Sequence, residues 1–464
     1  MLDTSKKRGK PLTVFTLVMM TVIAIDSLKN LPVNAQYGSS LIFFYLMATL
    51  LFFIPSALVA AELATAWPQT GGIYIWVREA FGKRLAFLAV WIQWLYQIIW
   101  YPTILSFIAV TAAYLISPTY AENKTFIFVT ILSVFWFATF LNCKGLKLSS
   151  MVSTWSALIG VVIPMLFITA LGAYWIYSGN AIQIHFSGET TLSNSFTIDN
   201  LRLFITLLFS LMGIELIAVH AGDVENPSSD YPRSIIISAI IILATVIPSS
   251  LAIAAVIPKK QIGLASGVIE AFTIFLNAFH LKWFTPVVVL AVAIGSFGIF
   301  FTWLLAAARC LLVAAQDGSL PSFLQRTNKK DMPITLLITQ GVIFSLLSAA
   351  FIFMPTVSSA FWMLTVCSSQ LALIYYIFLF ACAIKLRFKN PHVKRPFKVG
   401  KNNFIIVSIC SIAILTCLIS IGFGFIPPPE ATTSSLLTYE IFLSGLIITG
   451  SGAALLIYRI CHKE

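Results

Sequence analysis

The chain has 464 residues, of which 59% are hydrophobic and only 10% are charged. Soluble proteins average about 25% charged residues, so this composition excludes an ordinary soluble protein and indicates a polytopic membrane protein. The net charge of +12 could point to a nucleic-acid partner, but none is expected, because the basic residues are distributed as in the loops of a membrane protein.

Apolar runs recur along the whole chain. A hydrocarbon core of about 30 Å requires roughly 20 residues of helix. By this measure the sequence predicts an all-α membrane protein of twelve transmembrane helices, forming a single domain over residues 1–464 with residues 1–11 as the N-terminal segment. The predicted spans are 12–36, 40–65, 84–116, 125–143, 150–178, 200–222, 233–257, 284–316, 333–355, 357–386, 403–426 and 437–460.

The basic residues orient this bundle. With both termini inside, only four of the 29 Lys and Arg residues fall in outer loops, three fall within spans, and 22 lie on the cytoplasmic side. This positive-inside bias predicts a multi-pass protein of the bacterial inner membrane with both termini in the cytoplasm. No small-residue cleavage site follows the first apolar run, which is therefore expected to be a span and not a signal peptide. The four outer lysines are Lys124, Lys259, Lys260 and Lys282.

The cysteines predict neither disulfides nor a metal site. All seven fall in or beside predicted spans, and none forms a CxxC pair, so free thiols packed as small hydrophobic groups are expected. No cofactor and no metal are predicted. The cysteines are Cys143, Cys310, Cys367, Cys382, Cys410, Cys417 and Cys461.

The first span is interrupted by charge. Its apolar run, residues 12–25, makes about 21 Å of helix at 1.5 Å per residue, which does not cross the core. The crossing must continue through Asp26, Ser27 and Lys29 to Pro32. Ionisable residues at that depth should face the protein interior or a water-filled cavity. Asp26 could also simply cap the second half of the helix and pair with Lys29, three residues on.

A second interruption falls in the sixth span, where Met212, Gly213, Ile214 and Glu215 follow one another. Paired breaks at equivalent positions of two halves indicate the midplane site of a transporter. The sequence therefore predicts two inverted five-helix repeats over 12–386, with helices 11 and 12 in 387–464. Broken half-helices attract both charges of an α-amino acid. Glu215 is a candidate for substrate or proton coupling, or else a buried carboxyl group bonded to neighbouring hydroxyls.

Three long motifs resemble the amino acid–polyamine–organocation superfamily, and within it most closely the bacterial glutamate/γ-aminobutyrate antiporters. They are FIPSALVAAELATAWPQTGGIYIWVREAFG (53–82), MGIELIAVHAGDVENPSSDYPRS (212–234) and SFGIFFTWLLAAARCLLVAAQDGSLPSFLQRTNKKDMPIT (296–335). The resemblance covers nearly the whole chain. It implies a LeuT-like fold with helices 1 and 6 broken.

The resemblance also implies the site residues. The two breaks would hold the substrate backbone, Phe209 matches an aromatic gate position, and Trp303 matches a tryptophan that lines the substrate path. Some of the polar–aromatic cluster Trp94, Tyr96, Gln97, Trp100 and Tyr101 should face the cavity, and Tyr96 and Gln97 are the selected candidates. The expected substrate-binding residues are Ala24, Ile25, Asp26, Ser27, Tyr96, Gln97, Phe209, Met212, Gly213, Ile214, Glu215 and Trp303, and those expected for proton coupling or charge balance are Glu215, Asp26 and Lys29.

Simpler roles are expected for two other polar residues. Glu62, at the cytoplasmic end of span two, is expected to be structural and bonded to a nearby loop. His220 stands where the glutamate antiporters also have histidine, and a structural role is preferred to a pH-sensing one.

The sequence departs from the family at two places. Related carriers often have a Gly/Ser-rich first break, whereas Asp26 here would repel a substrate carboxylate unless it is protonated or paired with Lys29. That favours a cationic or neutral substrate. About four residues follow the last span, so the C-terminal plug of the acid-resistance antiporters is not expected.

The predicted function is that of an amino acid antiporter, which exchanges an amino acid for a related amino acid or its decarboxylation product by alternating access. The alternative is a proton-coupled permease for amino acids or polyamines. A receptor or scaffold is a distant third, and no channel or enzyme is expected. The predicted partners are a small amino acid or amine and the lipid bilayer, with a homodimer left open.

Overall fold

The computed structural model describes residues 13–69, 71–145, 155–156, 158–184, 196–215, 226–427 and 436–462. In this part of the chain all regular elements are helical, and ten helices are long and apolar enough to cross a membrane. The all-α membrane class is thereby confirmed. The helices are α1 (Val14–Ile25), α2 (Leu31–Ala35), α3 (Gly38–Ala66), α4 (Ile73–Phe81), α5 (Lys83–Ala113), α6 (Lys124–Asn142), α7 (Leu158–Tyr177), α8 (Ile198–Ser210), α9 (Pro227–Val256), α10 (Gly267–Ala278), α11 (Lys282–Ser319), α12 (Ile334–Phe353), α13 (Val357–Lys389), α14 (Asn403–Gly424) and α15 (Leu436–Cys461).

The first and sixth predicted spans are not among the ten, because both are interrupted. Helix α1 has 12 residues and ends at Ile25; a 3₁₀ turn, Leu28–Asn30, then leads into the short α2. Helix α8 has 13 residues and ends at Ser210. The chain after Glu215 in the sixth span, including His220, lies outside the described residues.

Two shorter helices were not predicted. Helix α4 connects α3 to α5, and α10 connects α9 to α11. A search for runs of about 20 apolar residues passes over both, since they have 9 and 12 residues.

Helix α5 lies at the centre of the bundle, packed against α11 and α13. It is buried along most of its length. Its sequence gives the reason, since Gln93, Gln97, Thr103 and Ser106 would be costly to expose to lipid and are all buried. The polar–aromatic middle of α5 is therefore available to line an internal cavity.

Small residues bring α7, and Ser156 just before it, into close contact with α11. A Cβ atom built on Gly295 would lie 2.2 Å from the backbone of Gly160, and one on Gly298 would lie 2.2 Å from the Cβ atom of Ser156. Without a hydrophobic driving force inside the bilayer, helices associate through such close packing of small residues.

Two ion-pair clusters hold the loops at one face of the bundle. Glu62 accepts hydrogen bonds from Arg387 at 2.6 Å and from the Val399 backbone N–H at 2.7 Å, and it pairs with Arg395 at 3.2 Å. The glutamate is thus bonded to the loop after α13, as expected of a structural residue. We refer to this side of the bundle as the Glu62 face.

Asp317, at the end of α11, forms the second cluster. It accepts from the Tyr74 hydroxyl at 2.6 Å and pairs with Lys83 at 3.0 Å and Arg78 at 3.4 Å. Burial, and then the neighbouring Asp317, raise the pKa of Tyr74, which therefore remains a neutral donor. These bonds fix α4 against α11.

The Gly160–Gly295 contact gives a test of the fold. Gly295→Ala should destabilise the protein by about 1–3 kcal/mol, the usual cost of overpacking, because no flexible side chain is there to move away. Gly422→Ala is the matched control, since a Cβ atom at Gly422 meets nothing within 4 Å. Thermal unfolding in detergent measures both. An equal melting temperature for both variants would contradict the close contact.

Candidate functional site: a cavity between the two chain breaks

The two breaks meet in the middle of the bundle. Gly213 has φ +126°, a conformation that side-chain-bearing residues rarely adopt, and a Cβ atom there would lie 3.0 Å from the Trp303 ring and 3.2 Å from the carbonyl oxygen of Ala24. Glycine is therefore required on two grounds, backbone conformation and space. The contact joins the first break, the second break and α11 at one point.

A small cavity of about 40 Å³ lies at this junction. Since a water molecule needs roughly 10–15 Å³ by the same measure, the cavity has room for a few waters. Eight of the twelve residues predicted to bind substrate line it, together with four that were not selected. The lining residues are Ala24, Ile25, Ser27, Asn30, Tyr96, Gln97, Trp100, Phe209, Ser210, Met212, Ile299 and Trp303.

Aromatic rings make two walls of the cavity. Trp100 and Trp303 are arranged edge to face with ring centroids 6.1 Å apart, and Tyr96 and Phe209 are arranged in the same way at 6.4 Å. Such pairs are favourable beyond the area that they bury. Both predicted aromatic residues, Phe209 and Trp303, thus face the cavity and not the lipid.

Polar groups with spare bonding capacity also line the cavity. The Oε1 atom of Gln97 and the hydroxyl oxygen of Ser27 are buried and make no hydrogen bond. A buried polar atom without a partner costs about 1–3 kcal/mol. These two atoms could be satisfied by an ammonium or hydroxyl group of a molecule in the cavity.

Asp26 does not line the cavity. It ends α1, and its Oδ2 atom accepts from the Thr245 hydroxyl at 2.9 Å while Oδ1 makes no hydrogen bond. The interpretation of Asp26 as the N-cap of the following helix is wrong. The N-cap of the 3₁₀ turn Leu28–Asn30 is Ser27, and its side chain makes no capping hydrogen bond. The carboxyl group turns towards α9 and is absent from the cavity lining.

The prediction that Lys29 pairs with Asp26 is also wrong for this conformation. Lys29 donates to the Thr103 hydroxyl at 3.1 Å, and its ammonium lies over the rings of Phe361 and Trp100, at 5.0 and 5.8 Å. In the described part of the chain, no carboxylate lies within 4.0 Å of it. The 3₁₀ turn aims the two side chains at different neighbouring helices, so their spacing of three residues does not bring them together.

Glu215 is buried behind the cavity wall and bonds to a residue that the sequence analysis missed. The Tyr376 hydroxyl donates to Oε2 of Glu215 and accepts the backbone N–H of Gly213 at 3.0 Å, while Oε1 of Glu215 makes no hydrogen bond. Tyr376 thereby partners a backbone group that the break leaves unpaired. The available signal was the tyrosine pair Tyr375 and Tyr376 in the middle of the predicted span 357–386.

In the described residues, no three His, Cys, Asp or Glu side chains are grouped so as to hold a metal ion. The seven cysteines are all free, as predicted. The arrangement at the breaks is therefore one of aromatic faces, amide and hydroxyl groups, and two buried carboxyl groups set behind the wall. Such a lining suits a small polar molecule with an apolar or extended chain.

A cavity between two interrupted helices, inside a bundle of membrane-spanning helices, is typical of a transporter. The amino acid permease family model matches residues 12–448, and the chain belongs to that family. Membership confirms the superfamily expected from the motifs and agrees with the prediction that the chain is not an enzyme.

Among its relatives, the chain is 45% identical to an uncharacterized transporter of Legionella pneumophila, over 95% of this chain and 94% of the relative. It is 28% identical to a glutamate/gamma-aminobutyrate antiporter of Lactococcus lactis, over 98% of this chain and 92% of that protein. A probable agmatine/putrescine antiporter of the same species is 25% identical, over 89% and 88% of the two chains.

The separation of Asp26 from Lys29 gives a second prediction. Because the two side chains share no bond, the double variant Asp26→Asn with Lys29→Met should be no more stable than either single variant. Denaturant unfolding in detergent measures all three variants. A double variant more stable than either single variant would indicate that Asp26 and Lys29 form an ion pair.

Tyr376 gives a third prediction. Tyr376→Phe removes the hydroxyl that bridges Gly213 and Glu215, so both lose a partner, at a cost of about 1–3 kcal/mol for each buried group. The melting temperature should fall, and transport should fall at least tenfold. Tyr120→Phe, at an exposed tyrosine, is the control. Wild-type melting temperatures and transport rates in both variants would contradict a role of Tyr376 in the site.

Proposed function

We propose that the protein is an antiporter of the inner membrane that exchanges an amino acid for a related amino acid or its decarboxylation product. The observation that carries this proposal is the meeting of the two breaks at one small cavity. Family membership and the two relatives named as antiporters support it.

The proposal also covers the number and orientation of the transmembrane helices. The ten described spans and the two broken helices would make twelve transmembrane helices, with two inverted five-helix repeats over residues 12–386. The Glu62 face would be cytoplasmic, as would both termini, since the basic loop after α13 lies there. The substrate ammonium or hydroxyl would take the free acceptors of Gln97 and Ser27, and its chain would pack between Phe209 and Trp303.

Alternating access follows from the breaks. An interrupted helix can bend at its break while each half keeps its internal hydrogen bonds, so α1 and α2 on either side of the first break, and α8 before the second, could swing about the cavity. The present cavity of about 40 Å³ would represent a closed state. The Gly213–Ala24 contact would be the hinge point shared by both movements.

A counterflow experiment tests exchange. Proteoliposomes preloaded with an unlabelled substrate should take up labelled substrate several-fold faster than empty ones, because the return step then carries a load. The panel should contain acidic, neutral and basic amino acids and the corresponding amines. Equal rates in loaded and empty vesicles, at matched pH and potential, would contradict an antiporter.

Proton-coupled uptake is the second candidate. Asp26 and Glu215 are both buried within the bundle, each with one carboxyl oxygen that makes no hydrogen bond. Intramembrane carboxyl groups of this kind serve proton relays in transporters. Uptake into empty vesicles that requires an imposed pH gradient would favour this candidate over exchange.

The proposed contact of the aromatic walls with the substrate can be tested by substitution. Phe209→Ala and Trp303→Ala should each raise the KM for substrate at least fivefold, because a side chain that packs on the substrate is lost. The matched control is Trp283→Ala, a tryptophan whose side chain is 72% exposed. The comparison requires equal amounts of folded protein. Transport at the control level in both variants would contradict a contact between these rings and the substrate.

A further inference from the structure

The segment 385–405, which joins α13 to α14, is strongly basic. It contains seven Lys and Arg residues and no Asp or Glu. Helix α14 has 22 residues, about 33 Å at 1.5 Å per residue, which matches a hydrocarbon core of about 30 Å. The residues just before α14 therefore lie at the level of the lipid headgroups. We call 385–405 the basic segment, and its cations are Lys385, Arg387, Lys389, Lys394, Arg395, Lys398 and Lys401.

Some of these cations hold the basic segment against the bundle. Arg387 and Arg395 both pair with Glu62, at 2.6 and 3.2 Å. Lys389 donates at 2.7 Å to the carbonyl oxygen of Glu79, whose carboxylate pairs with an arginine of α4 at 3.5 Å. In the described part of the chain, Glu62 and Glu79 are the two carboxylates that these contacts bring to the segment, and two carboxylates do not balance seven cations.

The remaining cations are lysines on the outside of the segment. Lys394, Lys398 and Lys401 are exposed, and among the residues that the structure describes no carboxylate lies within 4.0 Å of them. Lys385 is also exposed, and its ammonium lies over the ring of Phe81, 4.4 Å from the centroid. Lys398 and Lys401 come shortly before α14. The unpaired positive charge is therefore concentrated where a membrane-spanning helix begins.

Large apolar side chains are exposed beside these lysines. Phe404, in the first turn of α14, is 73% exposed, and Phe388, in the last turn of α13, is 58% exposed. The outward face of α14 continues this apolar surface along the helix. A lysine at such a boundary can lay its methylene stem along apolar surface while its ammonium reaches a polar layer. The exposed residues of that face are Ile405, Ile412, Leu415, Leu418 and Ile419.

The combination of free cations and exposed rings distinguishes between possible anionic partners. A soluble polyanion, such as a nucleic acid, would pair with the lysines but leave Phe404 in water. An anionic phospholipid carries a phosphate and acyl chains in one molecule, so it can satisfy both kinds of group. Such lipids attract basic residues beside a membrane-spanning helix by about 1 kcal/mol for each Lys or Arg, which is about fivefold in affinity.

We propose that the basic segment is a binding surface for anionic phospholipid headgroups at the Glu62 face. Lys398 and Lys401 bind the headgroup phosphate, Lys394 adds long-range attraction, and the acyl chains pack on Phe404 and along the outward face of α14. The bound lipid holds the loop whose other side is bonded to Glu62. This surface goes beyond the exchange function proposed above and does not depend on it.

The test measures equilibrium binding of a fluorescent phosphatidylglycerol to the full-length protein in detergent, with a fluorescent phosphatidylcholine as the neutral reference. Lys398→Gln combined with Lys401→Gln should weaken phosphatidylglycerol binding at least tenfold at low salt, and Lys401→Gln alone about fivefold. Phosphatidylcholine binding should not change. Replacement of both lysines by arginine should keep the affinity within about twofold, because the charge is kept.

The matched control removes the same charge elsewhere. Arg326→Gln combined with Lys329→Gln takes two exposed cations from the loop after α11, and its affinity for phosphatidylglycerol should stay within about twofold of the wild-type value. Equal losses in the control and in the Lys398/Lys401 glutamine variant would overturn the binding surface, because net charge alone would then explain them.

Two further measurements test the choice of a lipid. Phe404→Ala should weaken phosphatidylglycerol binding several-fold, and an unchanged affinity would overturn the acyl-chain contact. Inorganic phosphate at the concentration of the lipid should not displace it; displacement would show a site for soluble anions instead. A labelled oligonucleotide that binds more tightly than phosphatidylglycerol, with the same dependence on Lys398 and Lys401, would overturn the lipid in favour of a nucleic acid.

Discussion

Inside a bilayer every backbone N–H and C=O needs a partner within the protein, because neither lipid nor bulk water can supply one. The chain gives up helical bonds at two places, after Ile25 and after Ser210. The freed groups must therefore be met by side chains from other helices. The Tyr376 hydroxyl meets the Gly213 N–H in this way, and its second bond holds Glu215 behind the wall. The rest of the site follows from this arrangement.

The close approach of the two breaks has a chemical consequence. Gly213 lies against both the Ala24 carbonyl and the Trp303 ring, so the cavity is bounded by main chain on one side and by aromatic faces on the other. Charged groups are kept out of its lining: Asp26 is turned to Thr245 and Lys29 to Thr103.

Much of the fold could be predicted from the sequence, since apolar runs set the spans and their interruption by Asp26 and Gly213 marks the breaks. The positions of Phe209 and Trp303 at the cavity were predicted from the family resemblance and not from the hydrophobic periodicity of the helices. The directions of Asp26 and Lys29 could not be predicted, because they depend on which helices lie beside the first break. Tyr376 was missed for the same reason: 161 residues separate it from Glu215, and only the packing of α13 against α8 brings them together.

Binding of substrate between the two breaks can be observed in a cryo-electron microscopy structure of the protein with the best substrate of the counterflow panel. We expect substrate density bounded by Ala24–Ser27, Met212 and Gln97, packed on the Trp303 ring, in a cavity larger than the present one. Substrate density elsewhere in the bundle, with the Gly213–Ala24 contact unchanged and the cavity still closed, would contradict it.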